Sequence, residues 1–469
     1  MERRYDLALL AVLYLALVVP YALGHVDDVD SVTYRVITRH LLEDGTPFRL
    51  RFLSTWLPRF TEHPPFMFWI WAAATRLVGE WSLSWIAVLC GLGTTLATYL
   101  GGVPLVGRRA AFLGAVFLCA TESFFRTTAN TTLDPPLTLA FVSSTLLLLN
   151  ARGRWGWLVL GGLAAGVGAL VKGPPAWGAP LAAWLGLLLM NRRDEAAPRR
   201  WIVVVALAIA PLAGFFLYDW LALDGLWWNG YVLGQIRGTL SGANLDGHLE
   251  RFYILETAIR RFPHGIPFLL VAIALALPRR SRARLGPRLA LLAWAAVVIG
   301  GYSIPRRAWP WYLLPAYPPM ALLAGAGLDD LLALTRGDAV FRWTRRLVGA
   351  AGAATLALLP ACSSITGRRP LGIGRCTFGP TIPAAAASIA PERLALVATD
   401  VWQNAKKDVF ILAEHTRRDV VGLDTLSARP DLDVAVVRTD LSPVPPGWTV
   451  VAEHERWALV RRSSESASR

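Results

Sequence analysis

Long apolar runs recur along almost the whole of the first three quarters of this chain. They fall at about 7–24, 65–79, 82–104, 110–121, 133–150, 155–171, 174–190, 201–222, 264–277, 289–303, 310–333 and 347–361. Most measure roughly 15–25 residues, near the ~20 that a helix needs to cross the hydrocarbon of a bilayer. Lipid offers backbone groups no water to bond, so only helices or closed barrels can span it. Barrel strands would be near ten residues and alternate strictly, and these runs do neither. Composition agrees: 54% of the 469 residues are hydrophobic and 17% charged, outside the range of ordinary soluble domains. The fold class expected is an all-α polytopic membrane domain with eleven to thirteen spans. One stretch, within 80–132, gives the wrong parity if it crosses once, so it holds two short helices or does not cross.

The net charge of +14 is arginine placed between spans. Arg3-Arg4, Arg152 with Arg154, Arg192-Arg193 with Arg199-Arg200, Arg279 to Arg288, and Arg342 with Arg345-Arg346 each adjoin an apolar run. That is the pattern of cytoplasmic loops under the positive-inside rule, and it excludes nucleic acid as a partner. Many of the 20 tryptophans lie near run ends, as interfacial belts do. The resulting topology puts the N-terminus inside. The loops at 25–64, 223–262 and 304–309, the Lys172-Gly173-Pro174-Pro175 turn and the tail after 362 then lie outside. No small-x-small cleavage site follows the first run, which is therefore read as a retained span.

Beyond 361 the character changes. The division expected is a membrane domain over 1–361, a linker over 362–390, a small soluble outer α/β domain over 391–462 and a disordered end over 463–469. Short β-like segments at 394–399, 409–413, 434–437, 448–451 and 457–460 carry that reading. Cys90 and Cys119 fall in apolar runs as small buried hydrophobes. Cys362 and Cys376 lie on the outer side, where a disulfide is chemically compatible with the compartment. No Cys/His spacing matches a structural zinc site.

The assigned outer face gathers Asp28, Asp30, Glu62, His63, Asp134, Lys172, His248, Arg306 and Arg307. Ionisable groups at membrane depth are rare and mark function. A carboxylate there can act as general base, or hold an acceptor amine or hydroxyl. Nearby cations suit a phosphate leaving group, whose developing charge needs fixed positive partners. Together they point to group transfer from a lipid phosphate. Neither G-x-x-x-x-G-K-[ST] nor G-x-G-x-x-G precedes a helix, so a nucleotide enzyme is not indicated. Plainer uses stay open. Asp28, Asp30 and Asp134 suit helix N-termini, Glu62 can be a polar marker ahead of a span, and Lys172 can snorkel to the interface. Arg306 and Arg307 can meet anionic headgroups, and His248 is a lone histidine in a long loop.

The order of these residues resembles the GT-C superfamily. Asp30-Ser31-Val32-Thr33-Tyr34, with Arg39 and Leu41-Leu42 ahead of Gly45, is similar to its Asp-Glu-x-x-Tyr opening. Glu62-His63-Pro64-Pro65 looks like Glu-Lys-Pro-Pro, Leu133-Asp134-Pro135-Pro136 like Leu-Asp-Pro-Pro, and Val171-Lys172-Gly173-Pro174 like an apolar-x-Lys-Gly-Pro turn. Trp311-Tyr312-Leu313-Leu314-Pro315 with Pro318-Pro319 is similar to the late Leu-Pro-x-Tyr-x-Leu-Pro block. The nearest group is the dolichyl-phosphate-mannose protein mannosyltransferases and lipid A aminoarabinose transferases, and the likeness runs from residue 1 to about 335.

That resemblance implies an inverting glycosyltransferase of a bacterial inner membrane, working on the periplasmic side with a polyprenyl-phosphate sugar donor and a lipid, glycan or protein acceptor. It implies Asp30 as the catalytic carboxylate with Glu62 as its acidic partner. His63, Lys172, Arg306 and Arg307 would face the donor phosphate, and Asp28, Tyr34, Asp134 and Tyr312 would line the cavity. No cofactor is obligatory; a divalent ion could be held by Glu62 with His63 or His248. Ser31 stands where the family usually has Glu, His63 where it often has Lys, and Ala308 where the late block often has Lys. The alternative class is a transporter or flippase for lipid-linked substrates, but no convincing internal repeat relates 1–180 to 180–360. A scaffold that merely displays the outer domain would not need these charges on one face. The long loop at 223–262 is expected to cover the outer cavity.

Overall fold

The computed structural model describes residues 2–22, 29–52, 58–241, 252–277, 282–305, 309–334, 339, 341–347, 349–350 and 354 and, in the tail, 394–397, 420–421, 433–439, 444, 446–454 and 457–463. The chain divides into two compact units. One comprises Met1–Ala22, Thr61–Met67 and Ser84–Gly367, and the other Leu23–Phe60, Phe68–Leu83 and Arg368–Arg469.

The helices in chain order are α1 (Glu2–Ala22), α2 (Val29–Asp44), α3 (Phe66–Val78), α4 (Ser82–Val106), α5 (Arg108–Cys119), α6 (Glu122–Thr127), α7 (Asp134–Leu149) and α8 (Trp155–Lys172). They continue as α9 (Gly178–Leu189), α10 (Pro198–Ala222), α11 (Arg237–Ser241), α12 (Tyr253–Arg261), α13 (Ile266–Ala276), α14 (Arg282–Ser303) and α15 (Tyr317–Ala333). Among the described residues five helical stretches are long and apolar enough to cross a membrane: Arg3–Ala22, Ser82–Val106, Trp155–Lys172, Pro198–Ala222 and Ala283–Ser303. This is an integral membrane protein. The run at 264–277 holds α13, which is too short to qualify alone; paired with α12, which precedes the run, it passes, but the two bend by 99°. The stretch at 80–132 holds one long helix, α4, followed by the short α5 and α6. The loop at 223–262 is partly regular, with a π-helix over Trp228–Ile236 that runs into α11.

Helices in lipid gain little from burying apolar surface, so close backbone approach has to hold them. α8 provides it with glycines on its packed faces. A Cβ on Gly162 would lie 3.0 Å from the Val204 carbonyl oxygen, and one on Gly166 only 2.6 Å from that of Leu207, both on α10. Gly114 of α5 meets the Ala321 carbonyl of α15 in the same way, at 2.9 Å. The main core lies around these crossings, with Trp294, Tyr317, Phe112 and Phe124 fully buried.

Ion pairs close one end of this unit. Asp6 of α1 is fully buried, accepting from Tyr99 Oη and Arg108 Nε at 2.7 Å each, while Arg345 Nη2 stands 2.6 Å from its other oxygen. Arg109 pairs with Asp329 at 2.9 Å, and Arg288 with Asp330 at 2.6 Å. Several arginines that the sequence marks only as loop charges thus tie helix ends together.

In the second unit, α2 turns Tyr34 into an aromatic cluster. Its ring stacks on Trp71 at 5.8 Å and meets Phe68 edge-on at 5.5 Å and Phe60 at 6.2 Å. Arg51 forks onto Asp44 at 2.6 and 3.0 Å, which holds that carboxyl below its usual range. His40 is buried beside them, and burial first, then Arg51 and Arg39, lowers its pKa. The tail strands β1 (Leu394–Val397), β2 (Val420–Val421), β3 (Val434–Arg438), β4 (Trp448–His454) and β5 (Trp457–Arg462) form one sheet of order β2-β1-β3-β5-β4. β1 runs parallel to β2 and β3, while β5 runs antiparallel to β3 and β4. Ala435, Val437, Ala458 and Val460 make its small core. The β-like segment at 409–413 and the Cys362–Cys376 pair lie outside the described residues.

Candidate active site

The first unit contains a cavity of about 410 Å³ lined by His63, Lys172, Tyr231, Gln235, Tyr302 and Tyr312 on its polar side. Phe141, Leu181, Val297, Val298 and Leu240 make its apolar wall. An amphipathic space of this kind suits a ligand with one charged end and one greasy end.

Local sequence explains how each polar group arrives there. Lys172 ends α8, and Gly173 follows with φ 79° and ψ −146°, a conformation only glycine adopts readily. Pro174 and Pro175 then open a 3₁₀ turn over Pro174–Trp177, so the chain cannot continue the helix. The lysine is left at the lip of the turn but buried. Its Nζ donates to Asp134 Oδ1 at 2.7 Å and lies 4.9 Å from the centre of the Tyr312 ring. Asp134 opens α7 ahead of Pro135 and Pro136, yet its side chain does not cap that helix. It serves the lysine instead, and the N-terminal dipole of α7 further favours its charge.

Tyr231 comes from the π-helix, a type of turn often found at functional sites. Its hydroxyl donates to the Lys172 carbonyl at 3.1 Å, and a Cβ on Gly173 would collide with that hydroxyl. The π-helix is started by Asp219, fully buried near the end of α10, whose carboxylate accepts the N–H groups of Trp227 and Trp228 at 3.0 and 2.8 Å. Asp224 (φ 54°) and Gly225 (φ 68°) make the tight turn between. Tyr312 stacks on Tyr302 of α14 at 4.9 Å, and His63 lies 6.4 Å from the Tyr231 ring.

Of the residues expected at the site, the structure brings Lys172, Asp134, Tyr312 and His63 together. Glu62 is half-buried, one residue before His63. Asp30 sits half-buried in the first turn of α2, and Tyr34 in the aromatic cluster of that helix, both in the second unit. Asp28, His248, Arg306 and Arg307 lie outside the described residues. The sequence reading missed Tyr231, Tyr302 and Gln235. Only the Gly173 turn hinted that something approaches closely there; nothing local named the partner. Among the described residues no three His, Cys, Asp or Glu side chains meet as a metal-binding group. Glu62 and His63 alone do not make a ligand set.

Residues 62–218 match the sequence profile of the dolichyl-phosphate-mannose-protein mannosyltransferase family. Over 344 residues, 71% of this chain and 62% of the relative, the chain is 27% identical to an undecaprenyl phosphate-alpha-4-amino-4-deoxy-L-arabinose arabinosyl transferase of Pseudomonas savastanoi pv. phaseolicola. A protein of the same name from Edwardsiella ictaluri is 26% identical over 80% of this chain. The chain thus spans 62% and 69% of the length of these two relatives. Its fold is similar to that of ArnT from Cupriavidus metallidurans bound to undecaprenyl phosphate, with a TM-score of 0.70, 20% identity, and 97% and 98% of the two chains covered. It is also similar to the archaeal oligosaccharyltransferase AglB from Archaeoglobus fulgidus in complex with an inhibitory peptide and a dolichol-phosphate. There the TM-score is 0.54, with 14% identity and 94% and 70% of the two chains covered.

Proposed function

We propose that this chain, which carries the fold and the sequence signature of the GT-C glycosyltransferases of the protein-mannosyltransferase and lipid A aminoarabinose-transferase group, moves a sugar from a polyprenyl-phosphate donor to an acceptor. The transfer takes place at the outer face of a bacterial inner membrane, by inversion. The cavity supports this reading best. It sets a buried ammonium, that of Lys172, against an apolar wall, as a lipid bearing a phosphate requires.

An ammonium has three N–H donors. One is given to Asp134, which keeps the ammonium charged and directed, and Lys172 holds a phosphate oxygen. The Tyr312 ring faces the ammonium, and Tyr231 holds the lysine's backbone carbonyl. His63, Arg306 and Arg307 complete the phosphate's positive surroundings. Asp30 orients the acceptor hydroxyl or amine and takes its proton, with Glu62 as the acidic partner. The acceptor attacks the anomeric carbon from the face opposite the phosphate. As that bond forms, the bond from the anomeric carbon to the phosphate oxygen breaks, and its electron pair leaves with the polyprenyl phosphate. The leaving group already carries charge, so fixed cations stabilise the transition state.

In this reading the helices amount to eleven to thirteen spans, counting shorter apolar ones such as Phe66–Val78 and Asp134–Leu149. The tail sheet belongs to a soluble domain over 391–462 on the same outer side. The test is a reconstituted assay of wild type and Asp30→Asn with radiolabelled polyprenyl-phosphate sugars and membrane acceptors. The expected result is transfer by wild type and a loss of about 10²–10⁴-fold in the variant, the usual worth of a general base. Donor binding without transfer in both proteins would instead favour a lipid-linked-substrate transporter.

A further inference from the structure

At the end of the helices opposite the Lys172 turn, two arginine-bearing loops are locked together. Arg192 grips Glu195 through Nε and Nη2 at 2.6 Å each, and its Nη1 donates to the Leu149 carbonyl at 2.6 Å. Glu195 also accepts the Gly153 N–H at 3.2 Å. The α7–α8 and α9–α10 connections therefore form one rigid piece. Arg152 (φ 45°) and Asn191 (φ 58°) hold left-handed backbone within it. For an arginine that conformation is costly and persists only where the surroundings impose it.

This lock uses Arg192 and Glu195 and leaves five arginines over. Arg152, Arg154, Arg193 and Arg199 are exposed and Arg200 is half-buried. Arg200 reaches across to the other loop, its Nη1 within 3.5 Å of where a Gly153 Cβ would stand, between Arg152 and Arg154. Asp194 is the one other carboxylate in the two loops, and no ion pair among the described residues engages these five arginines. Directly beneath them, α9 and α10 enclose an open apolar groove of about 360 Å³, lined by Trp177, Pro180, Trp184, Trp201, Val205 and Ile209. Trp184 and Trp201 fasten groove to loop, their indole N–H groups donating to the Ala196 and Glu195 carbonyls at 3.2 and 3.0 Å.

We infer that this is a binding site for one anionic glycerophospholipid. Its phosphate lies among Arg152, Arg154 and Arg200, and an acyl chain lies in the groove past Trp184 and Trp201. Scattered loop arginines alone would attract acidic lipid only diffusely; basic pockets between helices bind headgroups specifically. Here three arginines of two joined loops stand beside an apolar groove, so one molecule satisfies both. The inference is independent of sugar transfer.

The test is lipid titration of the purified full chain in detergent, read by native mass spectrometry, with phosphatidylglycerol and phosphatidylcholine of identical chains. Saturable binding of one phosphatidylglycerol, with phosphatidylcholine far weaker, is expected. Arg152→Gln/Arg154→Gln/Arg200→Gln should weaken phosphatidylglycerol by about fivefold per arginine removed. Val205→Trp, which fills the groove and keeps every charge, should weaken it as well, and Arg76→Gln should not. These substitutions leave the Arg192–Glu195 lock intact, and thermal unfolding in detergent verifies folding. Equal binding of the two lipids, or undiminished binding by the triple variant, overturns the proposal. So does displacement of the lipid by inorganic phosphate together with indifference to Val205→Trp, which would identify a site for a free anion.

Discussion

Lys172→Met removes the counter-charge of a carboxylate that has almost no access to water. The pair is 9% and 4% exposed and separated by 2.7 Å. At that distance, with an effective dielectric of about 20, the attraction is about 6 kcal/mol. Desolvation of both ions offsets most of it, so the pair as a whole contributes little net stability. Losing one partner is different, because the other stays buried and uncompensated, at a cost of about 3–5 kcal/mol. Lys172→Met and Asp134→Leu should therefore each lower the apparent Tm in detergent by roughly 5–10 °C. Lys172→Met/Asp134→Leu should recover most of that loss, since the coupling energy of neighbours in contact returns in the double variant. Transfer from a radiolabelled polyprenyl-phosphate sugar should behave otherwise. It should fall by about 10²-fold or more in Lys172→Met and stay low in the double variant, because stability returns but the phosphate's cation does not. A double variant as unstable as the singles would refute the ion-pair reasoning. A stable double variant that still transfers would make Lys172 a strut and not a phosphate ligand.

Gly173→Ala places a methyl group against the Tyr231 hydroxyl at a φ of 79°. It should cost about 1–3 kcal/mol and reduce transfer, with a smaller loss in a Tyr231→Phe background, both measurable by thermal unfolding and assay. Asp6→Asn leaves Arg108 and Arg345 facing each other across a neutral amide. A loss of about 3 kcal/mol or more is expected by the same unfolding measurement. The pKa of His40 is lowered in the folded state, by burial first and then by Arg51 and Arg39. Its contribution is therefore complete above the unfolded value of about 6.5 and is lost as pH falls through the folded value. His40→Phe should flatten the decline in apparent Tm between about pH 8 and about pH 5; an unchanged slope would refute the assignment.

Much of the membrane architecture was legible because lipid makes it a local property. A helix such as α8 or α10 must satisfy its own backbone, so its apolar length can be read from the chain alone. The Lys172-Gly173-Pro174-Pro175 turn was legible for a related reason: glycine and proline constrain φ wherever they stand. Where the local rule is weaker, the reading was coarser. The run at 264–277 looked like a span, yet it holds only the 11-residue α13, set at 99° to the α12 that precedes it. The loop after Trp227-Trp228 looked irregular, yet Asp219 starts a π-helix there.

The sequence by itself determined that the chain enters the membrane many times, where its charges gather and which short motifs resemble the GT-C pattern, because each depends on residues a few positions apart. Tertiary structure alone decided that Asp134, 38 residues away, neutralises Lys172, and that Tyr231, 59 residues away, holds the lysine's backbone. It also decided that Arg192 and Glu195 join two loops. Such pairings are set by where glycine-lined helices can approach and by the cost of leaving a buried charge alone, and neither appears until the helices have packed.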